Sequence, residues 1–88
     1  MKTYIFDPIS PDALSYAKEN LDVITWDDPR INDIKEAEAC IVRTYKISKE
    51  LIDSMPHLRI IAKHGVGTDN IDIPYAKSKK IVITNTPV

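Results

Sequence analysis

Five short apolar runs rich in β-branched residues recur along the chain: "TYIF" near the start, then "VITW", "CIVRT", "LRIIAK" and "IVIT". Between them the apolar spacing lengthens to a helical period. After Asp7-Pro8 closes the first run, Ser10 stands as an N-cap with Pro11 at the first helical position, and Leu14, Ala17 and Leu21 share one face. The second run stops at "DDPR", and "INDIKEAEA" sets Ile31, Ile34 and Ala37 on a short helical face. Ser48 caps a further helix, with Ile47 and Ile52 placed as a hydrophobic staple and Pro56 bounding its end. Asp72 caps a last helix, "IPYAKSKK", whose terminal lysines suit the negative end of the helix dipole.

Strands alternating with helices through short loops imply parallel pairing, because parallel neighbours need a crossover between them. The expected fold is therefore α/β: a five-stranded parallel sheet in the flavodoxin-like order 2-1-3-4-5, with helices on both faces in a three-layer sandwich. With 88 residues there is room for one modest core. A hydrophobic share of 43% and a net charge of -1 place the chain among ordered globular proteins. The charges are interspersed, without the basic block that nucleic acid or an anionic membrane would require. No apolar stretch approaches the ~20 residues of a membrane span. Cys40 stands alone, which excludes an intrachain disulfide or a cysteine metal cluster, and its setting before "IVR" suits a small buried hydrophobe. A cytoplasmic setting is the expectation.

In open parallel sheets, ligands bind outside the carboxyl ends of the strands. Those ends are Asp7, Asp27-Asp28, Arg43-Thr44, residues 64–68 and Asn85-Thr86. The fourth is the most specific. "KHGVGTDNID", residues 63–72, has glycines at 65 and 67 but Asn70 where a dinucleotide fingerprint needs a third small residue, and no Gly-Lys-Ser/Thr follows for a P-loop. What remains is a turn in which two glycines open unusual backbone angles and close approach of a ligand, while the amides of Val66 and Gly67 are placed to face an anion. Asp69 and Asn70 suit the turn itself. A ligand-free strand-to-helix turn fits these residues as well. Arg43, Thr44 and Lys63 end the two neighbouring strands, so that two cations share an edge with this loop. A guanidinium can grip a carboxylate or phosphate with two bonds, and an ammonium adds a point charge.

The run "LRIIAKHGVGTDNIDIPYAKSKKIVITNTP", with "VRTYKISKELID" before it, closely resembles the N-terminal segment of the D-isomer-specific 2-hydroxyacid dehydrogenases, those acting on D-3-phosphoglycerate above all. The resemblance covers essentially the whole chain, with its specific motifs in residues 42–88. It implies a substrate-binding domain over residues 1–84, and a hinge beginning at 85–88 toward a separate NAD-binding Rossmann domain. It further implies substrate contacts from Arg43, Thr44, Lys63, Val66 and Gly67, with Val66 also near the nicotinamide of NAD. Lys63 stands where relatives often carry arginine. Asp69 and Asn70 match a loop-shaping pair.

The catalytic arginine, glutamate and histidine of such enzymes have no counterpart in these residues. His64 sits beside the loop, outside the family's histidine motif, and His57 next to Pro56 has no better claim. The isolated chain is therefore expected to be inactive. The complete enzyme is expected to act on a 2-hydroxyacid or 2-oxoacid in serine biosynthesis, as a homodimer or homotetramer. A non-catalytic NAD-sensing corepressor on the same scaffold is the alternative. A phosphoacceptor receiver domain shares the strand plan, but it needs an acid cluster after strand one and an aspartate ending strand three. Here a single Asp7 and Arg43 occupy those places.

Overall fold

The computed structural model describes residues 1–65, 67 and 69–86, the last through its backbone only. Its elements in chain order are β1 (Lys2–Ile5), α1 (Pro11–Asn20), β2 (Asp22–Ile24), a 3-10 turn (Pro29–Asn32), β3 (Ala39–Val42), α2 (Lys49–Asp53), β4 (Ile60–His64), α3 (Ile73–Ser78) and β5 (Val82–Thr86). All five strands join one sheet in the order β2-β1-β3-β4-β5, and every pairing is parallel. This is the expected α/β arrangement.

The pleat divides the sheet into two faces. Tyr4, Ile24, Cys40, Val42 and Ile61 bury one of them in a cluster completed by Ile52 and Met55 from α2 and the turn after it, Ala76 from α3, and Ile47, Leu58, Ile71 and Ile81 from the connections. On the other face Thr3, Ile5 and Ala39 are buried, with Ala17 of α1. Further along that face Ile41, Ala62 and His64 line an apolar cleft with Ile9, Ala13, Tyr16 and Leu21, and Val82 of the edge strand is exposed.

The helix starts follow their caps. The hydroxyl of Ser10 accepts from the Ala13 amide at 3.3 Å, that of Ser48 from Leu51 at 3.2 Å, and the Asp72 carboxylate from Tyr75 at 3.2 Å. Ile47 and Ile52, flanking the Ser48 cap, are both buried, as a staple requires. The last helix is shorter than "IPYAKSKK" suggests. It ends at Ser78 because Lys80 takes a left-handed conformation (φ 62°), with its amide bonded to the Lys77 carbonyl and the Ile81 amide to that of Ala76, both at 3.0 Å. This is a Schellman closure with lysine in the position glycine usually holds.

Residues 31–39 depart from expectation. In place of a helix there is one 3-10 turn, over Pro29–Asn32, and an irregular descent into β3. A helix here would have to pass through Asn32 and Asp33, whose side chains compete for backbone groups. The hydroxyl of Tyr4 instead ties down the Asp33 carbonyl. The apolar residues of the segment still face the core: Ala37 is buried, and Ile31 and Ile34 pack against the cluster.

Candidate functional site

The carboxyl edge of the sheet gathers the ends of β1, β3 and β4. Strand β3 stops at Val42, short of the expected Thr44, for a reason 36 residues away in sequence. One oxygen of Asp7, just past β1, accepts the amides of Arg43, Thr44 and Tyr45 at 2.6, 2.9 and 2.8 Å. Successive amides of a strand point in opposite directions, so three that converge on one oxygen must leave the ladder and curl into a nest. Burial raises the Asp7 pKa, but the amides of Arg43, Tyr45 and Thr44 together with the charge of Lys63 outweigh it, and the carboxyl titrates below its ordinary value of 3.8. The ring of Tyr45 then stacks on Phe6, with centroids 4.8 Å apart and planes 12° from parallel.

Lys63 sits beside this turn, paired in register with Val42 of β3 and Asn85 of β5. Its residue is only 7% exposed, unlike an ordinary strand-end lysine. Its ammonium donates to Asn70 Oδ1 at 3.0 Å. The same Asn70 donates through Nδ2 to the Tyr45 carbonyl at 2.7 Å. Its carbonyl takes the Ile47 amide at 2.7 Å, and the Asp72 amide returns to the Ile47 carbonyl at 2.9 Å. Asn70 thus fastens the loop after β4 to the loop after β3.

The expected site residues take the following places. Arg43 and Thr44 are exposed at the edge, and among the described residues Arg43 makes no ion pair. Lys63 is buried at the same edge. Gly65 is buried with φ 129°, a conformation that strains any side chain. Gly67 is exposed, and a Cβ on it would meet no described atom within 4 Å, leaving its backbone open to approach. Val66, expected at both substrate and nicotinamide, lies outside the described residues, as do Pro87 and Val88 of the expected hinge. Asn85 and Thr86 continue β5 to its end, opposite Lys63 and His64. His64 closes β4 on the face that α1 covers, and His57 is exposed on a turn. Among the described residues no group of three or more acidic, histidine or cysteine side chains is placed to hold a metal ion. No helix among them is long and apolar enough to cross a membrane.

Two residues that organise this edge do not stand out in the sequence as site residues. Asp7 shows its role only once β1 and β3 are neighbours, and an acid directly after a central strand was the available signal. The amide of Asn70 reads as a turn former, yet it also carries the contact to Lys63.

Comparison with known proteins matches residues 3–88 to the catalytic domain of the D-isomer-specific 2-hydroxyacid dehydrogenases. The chain belongs to this family. It is 37% identical over 93 residues to D-3-phosphoglycerate dehydrogenase of Archaeoglobus fulgidus, covering 99% of this chain and 18% of that protein. It is 33% identical over 94 residues to glyoxylate reductase of Thermococcus litoralis, covering 98% and 28%. The crystal structure of 3-phosphoglycerate dehydrogenase from Entamoeba histolytica with bound NAD+ superposes with a TM-score of 0.80 at 31% identity, over 99% of this chain and 33% of that one. The chain spans less than a third of the length of the curated relatives it matches.

Proposed function

We propose that this chain forms the substrate-binding part of a D-2-hydroxyacid dehydrogenase that uses NAD, of the D-3-phosphoglycerate kind. The supporting observation is the edge itself: in a member of this family, the Arg43 and Thr44 side chains and the buried Lys63 ammonium stand at the same strand ends as the open Gly67 loop. Arg43 grips the acid or phosphate of the substrate with paired hydrogen bonds, and Thr44 adds a hydroxyl. Lys63, held by Asn70, contributes a fixed positive field in place of a fork. The amides of Val66 and Gly67 receive the substrate carboxylate, and Val66 borders the nicotinamide. The hydride chemistry at the substrate carbon would be supplied by bound NAD. The chain's own part is to orient the acid and hold its charge. A cytoplasmic, homo-oligomeric enzyme of serine biosynthesis accords with this reading.

The test is substrate discrimination in a dehydrogenase that carries this chain. Arg43→Ala should raise KM for D-3-phosphoglycerate by about 10- to 100-fold, the loss of a charge-assisted pair, and leave glyoxylate within about threefold. Equal losses for both substrates, or none for either, would overturn the assignment of Arg43 to the phosphate-bearing end. The 88-residue chain alone should form no NADH from D-3-phosphoglycerate.

A further inference from the structure

A backbone nest is a site for an anion, and at this edge one nest is already filled. The amides of Arg43, Thr44 and Tyr45 point at a single Asp7 oxygen, all within 2.9 Å. They are therefore spent, and an incoming acid meets only the side chains that this turn projects. Those side chains leave the backbone where the nest holds it. Extended continuation of β3, the default after "CIVRT", would carry Arg43 and Thr44 out to opposite faces of the sheet. The half-buried Asp7 carboxylate converts that continuation into a turn.

We propose that Asp7 is the positioning residue of the anion-binding edge: its carboxylate serves as a built-in anion whose occupation of the 43–45 nest sets where Arg43 and Thr44 present their side chains. The use of Arg43 to hold substrate rests on the function proposed above. The occupied nest does not, and the two fail separately. The charged group that acts on the Asp7 carboxylate is Lys63 from β4, beside the backbone amides of Arg43, Tyr45 and Thr44.

The experiment follows the amides of Arg43, Thr44 and Tyr45 in nitrogen–proton correlation spectra of the 88-residue chain, with the amides of β4 as a folding reference. In Asp7→Ala the three should leave their native positions, and sodium formate should return them together along one saturable curve, with sodium chloride at equal ionic strength inert. A folded Asp7→Ala chain whose three amides stay in place, or ignore formate, would overturn the proposal. If Asp7→Ala does not fold, the unsubstituted chain decides. Its three amides should titrate as one, with a midpoint below 3.8. Separate midpoints, or no titration, would refute the shared oxygen.

The positioning role is read with D-3-phosphoglycerate in a dehydrogenase carrying this chain. Asp7→Asn, which keeps one acceptor oxygen, should raise KM by about tenfold with kcat little changed, and adding Arg43→Ala to it should cost little more. Full additivity of the two substitutions would show that Asp7 does not act through Arg43. If the nest responds to formate while Arg43→Ala leaves the KM for phosphoglycerate unchanged, the substrate assignment falls and the occupied nest stands.

Discussion

Replacing Asn70 by alanine tests whether the two loops at the carboxyl edge are one mechanical unit. The substitution deletes a bond from a positively charged donor, Lys63 Nζ, at 3.0 Å, and a neutral bond to the Tyr45 carbonyl at 2.7 Å. Bonds involving a charged group contribute about 1.5–3 kcal/mol and neutral ones about 0.5–1.5. Asn70 is half-buried, so the lower part of each range applies, and the sum is about 2–3 kcal/mol. For a chain of this size that lowers the melting temperature by roughly 10–20 °C. Urea unfolding followed by far-UV circular dichroism measures the loss directly, and a double-mutant cycle with Lys63→Met isolates the charged bond. The cycle should return about 1–2 kcal/mol of coupling. Asn70→Asp divides the pair differently. It trades the amide for an ionised acceptor near Lys63 but loses the donor to Tyr45, so it should fall between alanine and the native residue. A loss below about 0.5 kcal/mol in Asn70→Ala, or coupling within error of zero, would show that the loops are not tied through this side chain.

Other outcomes follow from the same structure. The folded Asp7 carboxyl titrates below its ordinary value, so its contribution to stability is complete above pH 3.8 and is lost as pH falls through the folded value. Asp28, held down to about 2 by its bonds with Arg30, is lost in the same direction. The difference between the native chain and Asp7→Asn in acid unfolding curves therefore isolates Asp7, and it should shrink steadily below pH 3.8. Lys80→Gly relieves a left-handed lysine at the end of α3 and should stabilise by about 0.5–1 kcal/mol in thermal melts, because the strain removed exceeds the chain entropy glycine adds. Gly65→Ala should cost about 1–3 kcal/mol for its positive φ, whereas Gly67→Ala, whose Cβ has open space, should leave the melt nearly unchanged and weaken carboxylate binding. Burial pushes the Cys40 thiol up to about 12, so its reaction with a disulfide reagent at neutral pH should proceed only as fast as the chain opens.

What the sequence made legible was what a few adjacent residues decide. Ser10 with Pro11, Ser48 with its Ile47 and Ile52 staple, and Asp72 all act within one helical turn, and each begins a helix where it was expected. Parallel pairing followed from the crossovers, and the order 2-1-3-4-5, one common arrangement of five such strands, is the one observed. The misread segment, 31–39, is governed by the hydroxyl of Tyr4 reaching the Asp33 carbonyl 29 residues later, which no local pattern encodes. The early end of β3 has the same character, because the acid that causes it precedes Arg43 by 36 positions. At the candidate site, strand ends alone sufficed to bring Arg43, Thr44 and Lys63 to one edge. The burial of Lys63 was not legible, since a cation ending a strand is ordinarily solvated and the Asn70 amide that accepts its ammonium lies in the next loop.

The ties around this edge share a purpose that none has alone. Asp7 joins the end of β1 to the turn after β3, Asn70 joins that turn to the loop after β4, and the Ile47 and Asp72 amides close the circuit toward α2 and α3. Ordering a free loop costs about 1–2 kcal/mol per residue. A loop that owes its shape to bonds inside the protein has met that cost on folding, and a ligand arriving there keeps more of its contact energy as affinity. The arrangement also accounts for two acceptors at an edge proposed to bind acids. The Asp7 oxygen and the Asn70 carbonyl oxygen take up amides that shape the loops, while the guanidinium of Arg43 and the backbone at Gly67 stay exposed at the edge. Loosening the Asn70 tie should therefore weaken binding of every acid alike, through the entropy of the loops, whereas removing Arg43, or the Asp7 carboxylate that positions it, should penalise the substrate with the second anionic group. That difference in pattern, read across phosphoglycerate and glyoxylate, separates the residue that ties the loops together from Arg43 and the carboxylate that positions it.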